Sequence, residues 1–223
     1  MAESIKRIVE PYQDSYSPNG IIGEKDACGV GFIANIEGIE SNWILKQSLK
    51  GLNCMEHRGG CGGDSDSGDG AGILCSIPWG YLEEEMNLKN TKELNRGLGM
   101  VFMPNKKEKI EECKSICEEE AEKLRVKDTS WRTVPVNNEI LGPLAKANVP
   151  YICQWILYID TKDNQNIEKL LFQLRKRIEK KIRDTFKNDV GDCEFYFASL
   201  SSQTVVYKGM VRSEILSEFY QDL

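Results

Sequence analysis

Asp26-Ala27-Cys28-Gly29-Val30-Gly31-Phe32-Ile33-Ala34-Asn35 is the stretch on which the reading of this chain turns. A polar leader gives way to a cysteine and then to an apolar run, whose glycines permit another backbone to come close. The pattern predicts a buried strand over 28–35 with Cys28 at its head. A cysteine so placed becomes a nucleophile if the chain is cut just before it. Its new α-amino group then lies beside the thiol and serves as its base. An internal Cys28 has only an amide nitrogen, which is not basic, so cleavage would act as a chemical switch.

Upstream, residues 1–27 contain Glu3, Glu10, Asp14, Glu24 and Asp26, with Pro11, Pro18 and an Asn19-Gly20 turn signal. This reads as an irregular leader. It lacks the apolar core of a secretory signal and is too acidic for an organellar transit peptide, so a cytoplasmic location is expected. The 223 residues suffice for one large domain or two small ones, and 40% hydrophobic content is ordinary for a globular protein. A net charge of −6 argues against nucleic acid or an anionic membrane surface as a partner. No apolar stretch approaches the ~20 residues of a membrane helix. The eight cysteines, at 28, 54, 61, 75, 113, 117, 153 and 193, are expected to be reduced thiols in a chain without a secretory signal.

Downstream, Ser41 is placed to cap a helix running to about Met55, with Ile44, Leu45, Leu49, Leu52 and Met55 toward the core. A Gly-, Asp- and Ser-rich loop over 57–70 leads into a strand near 71–77. Residues 79–95 read as a helix, Gly97 to Met103 as a strand ended by Pro104, and 106–124 as a charged helix. A short strand is expected at 133–136, a weak helix at Leu141 to Ala147, and a strong apolar strand from Tyr151 to Ile159. Over 166–186, Ile167, Leu170, Leu171, Leu174, Ile178 and Ile182 mark one face of the clearest helix. Cys193 to Leu200 and Thr204 to Lys208 suggest a hairpin turned at Ser201-Ser202-Gln203, and a last helix begins near Ser213. Strands in hairpins and between helices together favour an α+β fold.

Other chemistry-bearing patterns are weaker. His57 is the single histidine, and a Cys28/His57 dyad is the alternative to an amine base. The loop 59–72 lacks the Lys-Ser/Thr ending of a phosphate loop, and its aspartates would repel phosphate. Calcium binding by Asp64, Asp66 and Asp69 lacks the full helix–loop–helix pattern. Cys113 and Cys117 share a helical face, but no second pair has metal-site spacing, so no metal is expected. Arg175-Lys176-Arg177 and Lys180-Lys181 alternate with core positions and read as a solvated helix face.

Several linked segments together resemble one family. They are Cys28-Gly29-Val30-Gly31-Phe32-Ile33-Ala34, Met55-Glu56-His57-Arg58-Gly59-Gly60-Cys61, Asp64-Ser65-Asp66-Ser67-Gly68-Asp69-Gly70-Ala71-Gly72-Ile73, and Tyr196-Phe197-Ala198-Ser199-Leu200-Ser201-Ser202-Gln203-Thr204-Val205-Val206-Tyr207-Lys208-Gly209-Met210. In this order they are similar to the class II glutamine amidotransferase domain of glutamate synthases. The wording is closest to the ferredoxin-dependent cyanobacterial and plastid type. The resemblance implies an N-terminal-nucleophile hydrolase fold, an αββα sandwich of two antiparallel sheets between helices. It implies that 1–27 is a propeptide, that 28–223 is the N-terminal portion of the amidotransferase domain, and that Cys28 is the catalytic nucleophile toward glutamine. Arg58 aligns with the family's active-site arginine, expected to bind substrate or orient the site; residue type alone would make it a surface or helix-end arginine.

The family's Asn-Gly pair, implicated in the oxyanion hole, lies C-terminal to the segments matched here. The chain is therefore expected to be an incomplete part of a glutamate synthase, weakly active or inactive alone, and without cofactors of its own. The resemblance implies FMN, an iron–sulfur cluster and synthase domains in the full enzyme, with ferredoxin as electron donor and a role in nitrogen assimilation. The competing expectations are a non-catalytic remnant or interaction module that keeps its leader, and an amidotransferase serving another acceptor. The His57-Arg58-Gly59-Gly60 and Ser67-Gly68-Asp69-Gly70 wording disfavours the latter.

Overall fold

The computed structural model describes residues 29–56, 67–68, 70–88, 94–124, 126–160, 166–187 and 194–223. The chain divides into two units, Met1–Val30 and Gly31–Leu223. Of the first, only Gly29 and Val30 are described, both exposed and outside any helix or strand. In the second the order is α1 (Asn42–Cys54), β1 (Ala71–Ser76), α2 (Trp79–Met86), β2 (Asn95–Met103), α3 (Lys107–Glu122), β3 (Val126–Thr133), α4 (Pro143–Ala147), β4 (Tyr151–Ile159), α5 (Ile167–Thr185), β5 (Tyr196–Ser201), β6 (Thr204–Gly209) and α6 (Leu216–Phe219).

Continuous apolar runs in β2 and β4 have a direct cause: both strands are covered on both faces. They pair antiparallel, with Leu98 opposite Ile156 and Val101 opposite Cys153. With β3 beyond β4 and β5 beyond β2 they make a four-stranded sheet ordered β3-β4-β2-β5. Alternation divides its side chains between two layers. Val101, Met103, Cys153, Trp155, Leu157, Ile159 and Phe197 pack against α3 and α5. Leu98, Met100, Phe102, Ile152, Ile156 and Tyr158 face the other way, onto Val205 and Tyr207 of β6, with Leu49 of α1 and Leu82 of α2 in the same cluster. There β1 and β6 form a second, antiparallel sheet, from Ala71 opposite Gly209 to Ser76 opposite Thr204. The layering of helices, sheet and sheet, with α1 against β1, is that of an α+β sandwich.

The amphipathic helices form where their spacing predicts. Ser41 Oγ accepts from Ile44 N (3.4 Å) at the start of α1. In α5, Ile167, Leu171, Leu174, Ile178 and Ile182 are buried, each burial contributing roughly 1.5–3 kcal/mol. The basic run on α5 is more than a solvated face. Arg177 reaches Glu120 of α3 (2.8 Å), Lys181 reaches Glu119 (2.5 Å), and Arg175 Nη2 donates to Phe197 O (2.8 Å).

Four expectations are corrected. Residues 29–35 form no strand and lie exposed, Phe32 at 94%. An apolar run becomes a strand only where a neighbour pairs its backbone groups, and no described strand pairs with it. Ser201-Ser202-Gln203 turns the chain without closing a hairpin: β5 pairs with β2 and β6 with β1, so the chain steps between sheets. Glu168 at the start of α5 holds that step, accepting from Ser202 N (2.6 Å) and the Ser201 and Ser202 hydroxyls (3.1 and 2.7 Å). The strand expected at 133–136 lies earlier, as β3; its Lys127, Asp128 and Ser130 hide an edge strand tied by Trp131 stacking on Trp155, 5.1 Å between ring centres. The helix expected over 79–95 is shorter, because Asn87 takes a left-handed φ of 51° after Met86 and Asn95 already belongs to β2.

Candidate active site

Cys28 and Arg58, the residues singled out by sequence, lie outside the described residues, as do the leader 1–27, His57, Asp64, Asp66 and Asp69. What the structure defines is the described residues on either side of 57–66.

Before that segment stands Glu56, two residues past α1. Its Oε1 accepts from Arg212 Nε (3.1 Å) and its Oε2 from Ser213 N (3.0 Å), with a further short hydrogen bond from the Ser213 hydroxyl. That hydroxyl, with the Arg212 guanidinium and the Ser213 N–H, holds the Glu56 carboxyl below the usual carboxylate range against the opposing effect of burial. After that segment come Ser67 and Gly68. Ser67 is buried and its Oγ accepts from Ala145 N (3.2 Å). Gly68 lies so close to the segment after β6 that a Cβ there would stand 2.7 Å from Arg212 N and 2.8 Å from Val211 O. Gly70, at a φ of +134° that favours glycine, then turns the chain into β1. Glu56 and Gly68 thus both rest on Val211–Arg212–Ser213.

A second polar constellation joins residues far apart in sequence. Arg132 of β3 is 6% exposed. It donates from Nη1 to Asp222 Oδ2 and from Nη2 to Asp222 Oδ1, both at 2.8 Å, and also reaches Glu85 (2.8 Å) and Gln154 Oε1 (2.9 Å). Gln154 Nε2 donates to the Tyr207 hydroxyl (3.1 Å), which in turn donates to Asp222 Oδ2 (3.3 Å). Burial by itself would lower the Arg132 pKa, but its two carboxylate partners raise it, so the group stays charged. With two carboxylates against one guanidinium this cluster pins the chain around residue 222 and suits structure rather than chemistry.

Burial disfavours the thiolate at Cys75, Cys117 and Cys153. Burial, and then Glu40, push Cys75 up to about 11. Burial pushes Cys153 up to about 12, and Cys117, beside Cys113 and Cys153 between α3 and the sheet, well above the ordinary thiol range. Such thiols stay protonated at neutral pH. Cys113 and Cys117 are fully buried in the core rather than set out as ligands. Among the described residues no group of three or more His, Cys, Asp or Glu side chains could hold a metal ion, and no helix is long and apolar enough to cross a membrane.

Sequence reasoning did not find Glu56, Arg212 and Ser213 as a unit. The signals available were Glu56 within Met55-Glu56-His57-Arg58 and Arg212 just beyond Met210. The sandwich of antiparallel sheets, with the motif-bearing residues lying in sequence between α1 and β1, suits an amidotransferase. The family model of the class-II glutamine amidotransferases matches residues 28–223, and the chain belongs to that family.

Within it, the chain is 42% identical over 218 residues to a chloroplastic ferredoxin-dependent glutamate synthase of Oryza sativa subsp. japonica, an alignment covering 96% of this chain and 13% of the rice protein. It is 44% identical over 207 residues to ferredoxin-dependent glutamate synthase 1, chloroplastic/mitochondrial, of Arabidopsis thaliana (91% and 12% covered). It is 41% identical over 207 residues to ferredoxin-dependent glutamate synthase 2 of Synechocystis sp. (91% and 13% covered). The chain thus spans about an eighth of the length of these curated relatives.

Proposed function

We propose that this chain provides the nucleophile and its surrounding loops to a glutaminase site, within a glutamate synthase that draws electrons from ferredoxin. The observation that carries the reading is that the family match begins at Cys28, a residue whose chemistry changes when the chain is cut before it. The names of the similar synthases support the larger assignment. FMN and an iron–sulfur cluster belong, in this reading, to the synthase domains.

Removal of residues 1–27 frees the Cys28 α-amine. Reference pKa values are about 8.5 for a thiol and about 7.7–8.0 for an α-amine, so at neutral pH a useful share of the amine is unprotonated. The amine takes the thiol proton and the thiolate attacks the side-chain amide carbon of glutamine, forming a C–S bond and an oxyanion. The C–N bond then breaks and the ammonium returns its proton to the departing ammonia. Water adds to the thioester, the C–S bond breaks, and glutamate leaves with the thiol restored. Arg58, with permanent charge and fixed donors, orients the substrate or the Cys28 region.

The test is glutamine hydrolysis by the protein in its full chain, with and without Cys28→Ala. Turnover is expected to fall to background in the variant; an unchanged rate would sink the reading. A non-catalytic interaction module that keeps its leader is a second reading, favoured by exposed apolar side chains such as Phe32, Ile36 and Trp43.

A further inference from the structure

We infer that the solvent face of the α3–α5 layer is a self-complementary surface on which a second copy of this chain docks, acid over base, about a two-fold axis parallel to the helices. The surface is independent of the glutaminase reading. The two helices carry opposite charge: α3 has seven glutamates and three lysines, while α5 has seven lysines and arginines and three acids. At 3.6 residues per turn, Glu108, Glu112, Ser115, Glu119 and Glu122 fall within about 80° of arc on α3, and Lys169, Lys176, Lys180 and Arg183 within about 60° on α5. All of these are exposed. Both stripes point away from the sheet, since Ile110, Cys113 and Cys117 on the opposite side of α3, and Leu171, Leu174 and Ile178 on that of α5, lie in the core.

The helices lie side by side and antiparallel. Lys109 at the start of α3 stands over the Phe186 ring at the end of α5 (5.7 Å), and Glu120 near the end of α3 meets Arg177 (2.8 Å). That arrangement selects the axis. A two-fold axis across the helices would set α3 over α3 and α5 over α5, like charge over like, which is costly. An axis along them sets each α3 antiparallel over the α5 of the second copy, the same patch serving on both sides. Carrying over the register of the contacts within one chain brings Glu112 over Arg183, Glu119 over Lys180 and Glu122 over Lys176 of the second copy, to within a turn. Lys176 and Lys180 already meet Glu179 and Asp184 of their own helix, each at 3.0 Å, but exposed pairs of this kind contribute little and are exchanged at little cost. The 16 residues of α3 extend for about 24 Å, so the two helices present about 500 Å² per copy. Twice that is at the low end for a specific interface, and Phe172 is the large exposed apolar side chain on these helices. The contact is therefore weak, driven by charge and sensitive to salt.

Sedimentation velocity of the full chain over a range of concentrations tests this. A reversible dimer is expected at ~0.05 M salt, with a dissociation constant at least about tenfold higher at ~0.5 M, where surface charges are screened over a few ångströms. Two double variants probe the stripes: Lys176→Glu with Arg183→Glu, and Glu112→Lys with Glu122→Lys. Each alone should stay monomeric, because each sets like charge over like. Mixed in equal amounts they should form a heterodimer, because both α3–α5 contacts then join opposite charges. A chain that is monomeric at low salt overturns the inference and leaves the stripes to a partner of another kind. A dimer that neither variant weakens overturns it too, since it forms on another face, as does a mixture of the folded variants that fails to pair. If a reversal variant does not fold, Lys176→Gln with Arg183→Gln and Glu112→Gln with Glu122→Gln decide it. Association weakened about threefold or more in each supports the inference, and association equal to the unaltered chain in both overturns it.

Discussion

Arg132 keeps its charge at 6% exposure because Asp222 meets it with both carboxylate oxygens at 2.8 Å. Asp222 is more secluded still, its side chain 1% exposed. Taking two charges out of water is costly, and it is tolerated only where geometry and extra hydrogen bonds repay it; here Gln154, Tyr207 and Glu85 supply further hydrogen bonds. Removing Asp222 leaves the buried Arg132 with Glu85 alone, a partner 39% exposed. Asp222→Ala is therefore expected to lower stability by about 2–3 kcal/mol, below the full cost of an uncompensated buried charge, read from the shift of the urea unfolding midpoint at constant slope. A change below about 1 kcal/mol would show that the pair carries no such burden. Little of this cluster was legible in the sequence. The residues stand 90 apart, and the one hint was a glutamine inside the apolar run of β4.

Elements with strong periodicity were legible, and those that depend on a distant partner were not. The heptad-like spacing of α5 and the apolar run of β4 state their own burial, and both formed at the expected bounds to within a residue. The spacing also predicts energetic contrast along one helix. Leu174 is fully buried between α5 and the sheet, while Phe172, two positions earlier, is 60% exposed. Leu174→Ala should cost about 2–5 kcal/mol and Phe172→Ala about 0.5 kcal/mol or less, measured by the same unfolding titration. Equal losses would mean that the helix does not present this face. By contrast, a strand at 28–35, a hairpin at 193–208 and a strand at 133–136 rest on local pattern. Which strand pairs with which is decided elsewhere: β5 takes the free edge of β2, and β6 takes β1.

For the molecule as a whole, the α+β sandwich and the family followed from four segments in a fixed order, which no single glycine-rich loop would have secured. The site followed less completely. Sequence named Cys28 and Arg58, and the structure adds the contacts of Glu56 and Gly68 with Val211, Arg212 and Ser213. The Glu56 contacts join residues 156 and 157 positions apart, beyond the reach of any local pattern. The proposed glutaminase chemistry depends most on one covalent event, removal of residues 1–27 so that Cys28 becomes N-terminal. Mass spectrometry of the N-terminal peptide from the full-chain protein, after reaction with a glutamine-like electrophile, tests it directly. The account predicts a peptide that begins at Cys28 and carries the label on that residue. A peptide beginning at Met1 or Ala2, with Cys28 unlabelled, would contradict it.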